Sequence, residues 1–282
     1  MRSLVVVAQS GAITEAASTL GLTQPALSRR IQQLEEELGT SLFERSRKGV
    51  ILTEAGRMAY REAVHLVDRF DRLKDDIQAH LSLDAGTVRL GGGATAVSFV
   101  VPDAIARFQK QHPGVRFQVK EAGSREIEDD VDEERLELGI VTLPTHSKDF
   151  EVTPFREDEI VLVAPATHPL TCCKKVCPGE LEGQGLVGFE AGSAIRHIID
   201  SALREVGVSM NVVMELRSIP AILQMAATTQ NLAFVSRLGV GQGKLCILDV
   251  EGLHIRRQLG IINKRGQPLS NAASAFTSAL LA

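Results

Sequence analysis

Aromatic side chains are scarce in this chain of 282 residues, which has no tryptophan and a single tyrosine. Proteins that bind single-stranded nucleic acid stack bases on aromatic rings, so the composition argues against that class. The sequence also has no apolar run approaching the ~20 residues that a membrane-spanning helix needs. We therefore expect neither a single-strand binder nor a membrane partner.

Cysteine is rare and basic residues are not in excess. The four cysteines lack the spacing of a disulfide framework, and the apolar run Leu4–Ala8 is too short for a signal peptide. Both observations favour a reducing, cytoplasmic location. The net charge is −4, yet residues 1–53 hold six Lys/Arg against five Asp/Glu. A net positive charge in this segment of an otherwise acidic chain favours selective contact with duplex DNA over a general basic coat.

That segment carries two short helical patterns. The first places small apolar groups on one face, at Ala12, Ala16, Ala17 and Leu20. Gly21 suits the end of this helix, and Thr23 and Pro25 suit the start of the next. The second helix carries its predicted core residues at spacings of four, three and four, at Leu27, Ile31, Leu34 and Leu38. The pattern predicts a helix-turn-helix.

The start of the second helix bears polar groups on its exposed side: Gln24, Ser28, Arg29 and Arg30. In the major groove of DNA, glutamine can pair with adenine and arginine with guanine. The alternative is an ordinary pair of helices with a solvated polar face.

A basic hairpin follows and favours the DNA-reading interpretation. Arg45, Arg47 and Lys48 lead to Gly49, and Val50–Leu52 reads as a strand. A hairpin with a basic tip beside a helix-turn-helix is typical of a wing that lies along the phosphate backbone.

The stretch AASTLGLTQPALSRRIQQLEEELGTSLFER, followed by LTEAG, resembles the N-terminal domain of LysR-type transcriptional regulators. The resemblance implies contacts with double-stranded DNA at an interrupted palindrome, through Gln24, Pro25, Ser28, Arg29, Arg47 and Lys48. In that family several residues precede the first helix, whereas Met1 here falls inside the matching segment, RSLVVVAQSG. We therefore expect a shortened first helix.

A long helix is predicted from Thr53 and Glu54 to about Leu83. Its apolar residues recur every three or four positions, at Ala59, Ala63, Leu66, Phe70, Leu73, Ile77 and Leu81. This near-heptad seam favours pairing of two chains over burial in the chain's own core. A homodimer would present two recognition helices to two half-sites. The resemblance implies the same use of this helix, a tetramer, and RNA polymerase as a further candidate partner.

From Gly86 the pattern changes to alternating strands and helices, which predicts an α/β architecture. Two polar stretches, Thr153–Glu159 and Glu251–Gln258, read as crossings between two lobes. HPGVRFQVKEAGSREI and LELGIV resemble the effector domain of the same family, which implies a bilobed, type II periplasmic-binding-protein-like fold. The expected domains are a winged helix-turn-helix at 1–53, a linker helix at 54–85 and an effector domain at 86–282. Lobe I covers 86–157 and 259–282, and lobe II covers 158–258.

In such domains a small-molecule effector lies between the lobes, held by hydroxyls and backbone N–H groups at helix starts. That geometry favours carboxylates or other anions. The hydroxyls expected there follow strands or precede helices, at Thr95, Ser124, Thr142 and Ser193. Each alone suits a simple helix cap, whereas the set of four points to a cleft. Gly93 stands where the family often has serine, which removes one side-chain donor.

An enzymatic alternative comes from residues 91–96, GGGATA, which fit G-x-G-x-x-A after a strand. That pattern imitates the start of a dinucleotide-binding fold, so an NAD-linked oxidoreductase is the second hypothesis. Against it, Glu121 lies about 30 positions further on, where about 20 is usual. Pro102 also interrupts the following helix. We expect no enzyme activity and no cofactor.

Two other clusters invite chemical interpretations. Cys172, Cys173 and Cys177 lack a second cysteine or histidine pair, so we expect no metal there. In peroxide-sensing relatives the reactive cysteine would fall at Ala194. The acidic run Glu126–Glu137 is interpreted as a solvated helix face because carboxylates that lie close together repel.

Overall fold

The computed structural model describes residues 1–46, 49–81, 86–241 and 245–281. Contacts between Cα atoms divide the chain into two compact units, Met1–Leu81 and Ser82–Ala282. Within the described ranges, no helix is long and apolar enough to cross a membrane.

The first unit is four helices and one hairpin. The elements are α1 Arg2–Ser10, α2 Ile13–Thr19, α3 Gln24–Leu38, β1 Phe43–Ser46, β2 Gly49–Leu52 and α4 Glu54–Leu81. Gly21 and Gly39 take left-handed φ values of 64° and 68° after α2 and α3. Such values cost glycine little, which explains why both helices end there.

The core of this unit lies where α1, α2 and α3 meet. Leu27 and Ile31 of α3 pack with Val7, Ala16 and Ala17. The prediction that Leu38 also belongs to the core is wrong, since its side chain is 47% exposed. Leu38 is the last residue of α3, and the core contacts of this helix come from its earlier turns.

The predicted wing forms as an antiparallel hairpin of β1 and β2, with Phe43 opposite Leu52. The N–H of Val50 donates to the carbonyl of Gly11 at 2.9 Å, which joins β2 to the turn between α1 and α2. Gly49 has a φ of 130°, and a Cβ there would lie 2.2 Å from the Gly11 oxygen. Glycine is therefore required where the wing meets the helices.

The second unit contains nine strands, six α-helices and three short 3-10 helices within the described ranges. The strands are β3 Gly86–Gly92, β4 Val115–Glu121, β5 Leu138–Thr142, β6 Phe150–Pro165, β7 Gly185–Phe189, β8 Asn211–Leu216, β9 Ala233–Ser236, β10 Leu245–Leu248 and β11 Ile255–Lys264. The helices are α5 Ala94–Phe99, α6 Val101–Gln111, α7 Ser124–Asp132, α8 Ala194–Glu205, α9 Ile219–Thr229 and α10 Asn271–Leu281.

One sheet joins seven of these strands in the order β10-β6-β11-β5-β3-β4, with β9 also paired to β6. Strands β3, β4 and β5 are parallel, whereas β6 and β11 form a long antiparallel pair. A second sheet holds the parallel strands β7 and β8. The predicted α/β architecture is confirmed.

The stretches predicted as crossings are strands. Thr153–Glu159 lies inside β6, and β11 begins at Ile255, within the second predicted crossing. The ladder shifts register between Leu259 and Gly260, where Pro154 faces Gly260. A register shift accommodates a proline because that residue has no N–H to donate. Polar side chains in this ladder hid its strand character from sequence analysis.

Two main hydrophobic cores flank this ladder. One draws on residues 88–140 and 259–280 and includes Phe108 and Phe276. The other draws on residues between Ile160 and Ile255. Strand β11 contributes Ile255 to the second core and Leu259 to the first. The ladder therefore connects two separately packed halves of this unit.

The acidic helix differs from its prediction in extent and burial. It covers Ser124–Asp132, so residues 133–137 of the acidic run lie beyond its end. Glu128 and Asp130 are buried at 3% and 2% exposure, so the solvated-face interpretation is wrong for these two residues. Asp130 pairs with Lys120 and Arg135, and the N–H of His146 donates to Glu128 at 2.8 Å. Buried carboxylates persist because these partners compensate their desolvation.

Candidate nucleic-acid interface and ligand cavity

The N-terminal half of α3 presents a polar, basic face. Gln24, Pro25, Arg29 and Arg30 are exposed, and Ser28 is half-buried. Thr23 stands at the N-cap position as expected, although its side chain makes no capping hydrogen bond. Among the described residues, neither Arg29 nor Arg30 has an ion-pair partner. Both guanidiniums are thus available to an anionic or acceptor-rich partner.

The wing is tied to α3 by a residue that sequence analysis missed. The carboxylate of Glu35 accepts the backbone N–H of Leu42 at 2.7 Å and that of Phe43 at 3.2 Å. The pairing holds the start of β1 against α3. Arg47 and Lys48, the predicted phosphate contacts, lie outside the described residues.

Helix α4 begins as predicted, because the N–H of Gly56 donates to Thr53 Oγ1 at 2.9 Å. Along α4 four of the seven predicted seam residues are at least half exposed: Leu66, Phe70, Leu73 and Ile77. We call these four the α4 stripe.

Ala59 and Ala63 do not belong to that stripe. Ala63 is fully buried in a core with Leu4, Val5 and Leu42, and Ala59 packs against the same core. The assignment of Ala63 to the dimer seam is wrong, because this turn of α4 packs on the core of the first unit, whereas the half-buried Ala59 stays a predicted seam residue. The side chain of Leu81 lies outside the described residues.

The second unit encloses a cavity of about 300 Å³ between its two halves. All five predicted effector residues line it: Gly93, Thr95, Ser124, Thr142 and Ser193. Helices α7 and α8 begin at this cavity, with Gly123 and Ser193 as their N-caps. The first N–H groups of a helix lack intrahelical partners and carry partial positive charge. The cavity is therefore suited to an acceptor-rich ligand.

Three of these hydroxyls accept hydrogen bonds from the protein. Thr95 Oγ1 accepts from Nη2 of Arg257 at 2.6 Å, and Thr142 Oγ1 accepts from Nη1 at 3.3 Å. Ser124 Oγ accepts the backbone N–H of Thr142 at 3.1 Å. The hydroxyl of Ser193 instead donates to the carbonyl of Glu190 at 2.8 Å.

Arg257 is a cavity residue that sequence analysis missed. Its Nε donates to Asp158 Oδ2 at 2.8 Å, and the two side chains are 7% and 0% exposed. The hydroxyl of Ser236 donates to the other Asp158 oxygen at 2.5 Å. Burial lowers the pKa of the Arg257 guanidinium from its ordinary value, and Asp158 opposes that shift.

Two ion pairs lie at the exposed rim of the cavity. Nε of Arg217 lies 2.5 Å from Glu190 Oε2, and this hydrogen bond raises the pKa of Arg217. Glu126 pairs with Lys120 at 2.8 Å. The exposure of these side chains means that their ion pairs contribute little stability.

The glycine run that suggested a dinucleotide site has a packing explanation. A Cβ on Gly91 would lie 2.5 Å from Leu136 Cδ1 and 2.6 Å from Ile127 Cδ1. On Gly92 it would lie 3.1 Å from Ala96 Cβ. These two glycines make room for neighbouring side chains, whereas a Cβ on Gly93 would meet no atom within 4 Å.

The cysteines are surface residues. Cys172, Cys173, Cys177 and Cys246 are all exposed and unpaired. Ala194, the position matching the reactive cysteine of peroxide sensors, is the first residue of α8.

Two family models match the chain. Residues 1–57 match the bacterial regulatory helix-turn-helix protein of the lysR family, and residues 82–282 match the LysR substrate binding domain. A RuBisCO operon transcriptional regulator from Allochromatium vinosum is 30% identical over 285 residues, covering 100% of this chain and 94% of that relative. None of these similarities supports the oxidoreductase hypothesis.

Solved structures of the family have the same fold. Full-length CbnR complexed with target DNA gives a TM-score of 0.80 at 17% identity, covering 99% of this chain and 96% of CbnR. The Synechocystis CcmR regulatory domain in complex with 2-PG gives 0.64 at 25% identity, covering 69% of this chain and 95% of that domain. Together with the two family matches, these similarities establish that the chain belongs to the LysR family of DNA-binding transcription regulators and is not an enzyme.

Proposed function

We propose that this chain is a LysR-type regulator that reads a two-fold DNA site through α3 and the wing. Its effector is a small anion held in the cavity of the second unit. The observation that carries the effector assignment is the convergence of four hydroxyls and two helix starts on one cavity.

The exposed face of α3 supports the DNA contacts. Gln24 and Arg29 stand in its first turns with exposed polar ends, in the position from which a recognition helix reads base edges. Pro25, Ser28 and Arg30 flank them. Arg47 and Lys48 are proposed as phosphate contacts of the wing.

An anionic effector is supported by the donors around the cavity. Thr95, Ser124, Thr142 and the N–H groups that begin α7 and α8 favour negative charge. The complex of the CcmR regulatory domain with 2-PG makes 2-PG a suitable first probe for this chain. Ser193 and Gly93 complete the proposed lining.

A homodimer formed through the α4 stripe would present two copies of α3 to two half-sites. The stripe supports this proposal because its residues repeat every three or four positions and each is at least half exposed. The proposed domains are 1–53, 54–85 and 86–282, with lobe boundaries near 158 and 258. A tetramer and contact with RNA polymerase are further proposals. Effector binding would change DNA binding only if it favours one arrangement of the dimer.

A footprinting experiment tests the proposal. The purified chain is applied to the DNA upstream of its own gene and the divergent neighbour, across a salt series and with and without 2-PG. We expect protection of a two-fold site, affinity that falls steeply with salt, and a footprint that changes with the ligand. Absence of any protected site would contradict the DNA-reading function. Identical footprints with and without bound ligand would contradict the regulatory coupling.

A further inference from the structure

The hydroxyls of Thr95 and Thr142 share one partner, the guanidinium of Arg257. Nη2 lies 2.6 Å from Thr95 Oγ1, and Nη1 lies 3.3 Å from Thr142 Oγ1. A guanidinium has only N–H donors, so both threonine oxygens must accept from it. Each hydroxyl thereby keeps its own hydrogen for a different acceptor.

The guanidinium is held in place by a buried ion pair with Asp158. Arg257 and Asp158 are cross-strand neighbours on β11 and β6. Asp158 takes the Nε hydrogen at 2.8 Å and also accepts from the hydroxyl of Ser236. Because Asp158 neutralises it in a buried position, Arg257 adds little net charge to the cavity. Its main effect on a ligand is the direction that it imposes on the two hydroxyls.

The hydroxyl of Ser193 has the opposite hydrogen-bonding role toward a ligand. Its hydrogen is committed to the Glu190 carbonyl, so its oxygen can accept but not donate. The cavity thus has hydroxyl donors on the side of Thr95 and Thr142 and a hydroxyl acceptor at the start of α8.

We infer that Arg257 is a positioning residue, which sets Thr95 and Thr142 as hydrogen-bond donors and makes the cavity prefer a carboxylate or phosphate oxygen over a neutral amide. A carboxylate presents two acceptor oxygens to the two hydroxyl hydrogens, whereas an amide presents one acceptor oxygen and an NH2 group that has only donors. The inference rests on the proposed function, in which the cavity holds an anionic effector.

Ligand preference tests this role because a purely structural residue would not change it. Binding of succinate, its monoamide succinamate, inorganic phosphate and 2-PG to the full chain is measured by calorimetry. The wild type is expected to bind at least one acid and to prefer succinate to succinamate. The double variant Thr95→Val, Thr142→Val removes both hydroxyl donors at nearly constant side-chain volume. This pair should weaken acid binding by roughly tenfold or more and abolish the preference over the amide.

Conservative and distant variants provide the controls. The double variant Thr95→Ser, Thr142→Ser keeps both hydroxyls, and its affinity for acids should be within about threefold of the wild-type affinity. Thr277→Val removes a hydroxyl that donates to the Ala273 carbonyl on α10, outside the cavity lining, and should bind like the wild type. Arg257→Met alone leaves the buried Asp158 carboxylate unpaired and can unfold the unit, so the threonine pair carries the test.

Each contrary result has a distinct meaning. Gly93→Leu fills the cavity from a position where a Cβ meets no atom within 4 Å. If Gly93→Leu abolishes acid binding and the valine pair does not, the positioning role is overturned and the proposed effector site stands. If both variants bind normally, the effector site itself is wrong and the inference falls with it. A wild type that binds the amide as well as the acid, or binds no probe, also overturns the inference. Footprinting on DNA then decides whether the regulator function survives.

Discussion

Arg257 and Asp158 face each other across the two long antiparallel strands of the second unit, with Nε 2.8 Å from Oδ2. Strands β6 and β11 connect the two hydrophobic cores, so this buried ion pair lies at the junction of the two halves. From there Arg257 reaches Thr95 and Thr142 in the cavity. The pair therefore links the fold of the effector unit to the polarity of its ligand site.

Breaking that pair should destabilise the second unit. Arg257→Met leaves the Asp158 carboxylate buried without its cation, which costs about 3–5 kcal/mol in comparable buried pairs. Denaturant unfolding of the full chain measures this loss. The double variant Asp158→Leu with Arg257→Met removes both charges and should recover part of the stability. A double variant no more stable than Arg257→Met would show that the unpaired charge is not the cause.

Protonation of His168 should lower the free energy of unfolding in acid. Burial lowers its pKa below the ordinary value of 6.5. Below pH 6.5 the unfolded chain binds a proton that the folded chain resists, so unfolding becomes easier as pH falls from 6.5 through the folded value. Nδ1 of His168 accepts the N–H of Leu170, an interaction that His168→Asn can keep. The variant should show a shallower fall in unfolding free energy between pH 7 and pH 5. Equal slopes for the two proteins would refute the assignment.

Gly93→Ser should be tolerated and should strengthen anion binding. The site has φ −68° and ψ 165°, which any residue adopts, and an added Cβ meets no atom within 4 Å. We expect the unfolding free energy to change by less than about 0.5 kcal/mol. Gly91→Ala is the contrast, because its Cβ would lie 2.5 Å from Leu136 Cδ1 and should cost about 1–3 kcal/mol. Thermal unfolding and calorimetry with 2-PG measure both effects, and equal destabilisation by the two variants would contradict the packing argument.

A dimer formed through the α4 stripe should be weakened by a charge placed in that stripe. Phe70→Glu places a carboxylate on a side chain that is 59% exposed in the single chain, so the unit should still fold. The dimer dissociation constant should rise roughly 30-fold or more, as for truncation of an interface hot spot. His65→Glu introduces the same carboxylate at an exposed position of α4 outside the stripe and should change the dimer dissociation constant little. Sedimentation velocity distinguishes the two, and an unaltered dimer in Phe70→Glu would exclude the stripe as the interface.

The elements that depend on local patterns were predictable from the sequence. Apolar spacing, Gly21, Thr23 and Pro25 predict α2 and the start of α3 closely, because a helix is determined by neighbours three and four residues away. The prediction that Thr95 and Ser193 line one cavity rested on the family resemblance together with their places at strand and helix ends.

Long-range pairing was not predictable. Arg257 lies 99 positions from Asp158 and 162 from Thr95 in the sequence, and no local pattern joins them. The burial of Glu128 and Asp130 was missed for the same reason, since Lys120 and His146 that compensate them come from other segments. Ala63 was assigned to the dimer seam because its spacing fits, although α1 already covers it.

The most direct measurement compares Arg29→Ala with the wild type on specific and random DNA at one salt concentration. If α3 reads base edges, the variant loses about 1–3 kcal/mol of affinity for the footprinted site and little for random DNA. Arg61→Ala, an exposed arginine on α4, is the matched control and should bind both as the wild type does. Fluorescence anisotropy with labelled duplexes gives the four affinities. An equal loss on specific and random DNA would contradict the account, because Arg29 would then contact only the phosphate backbone.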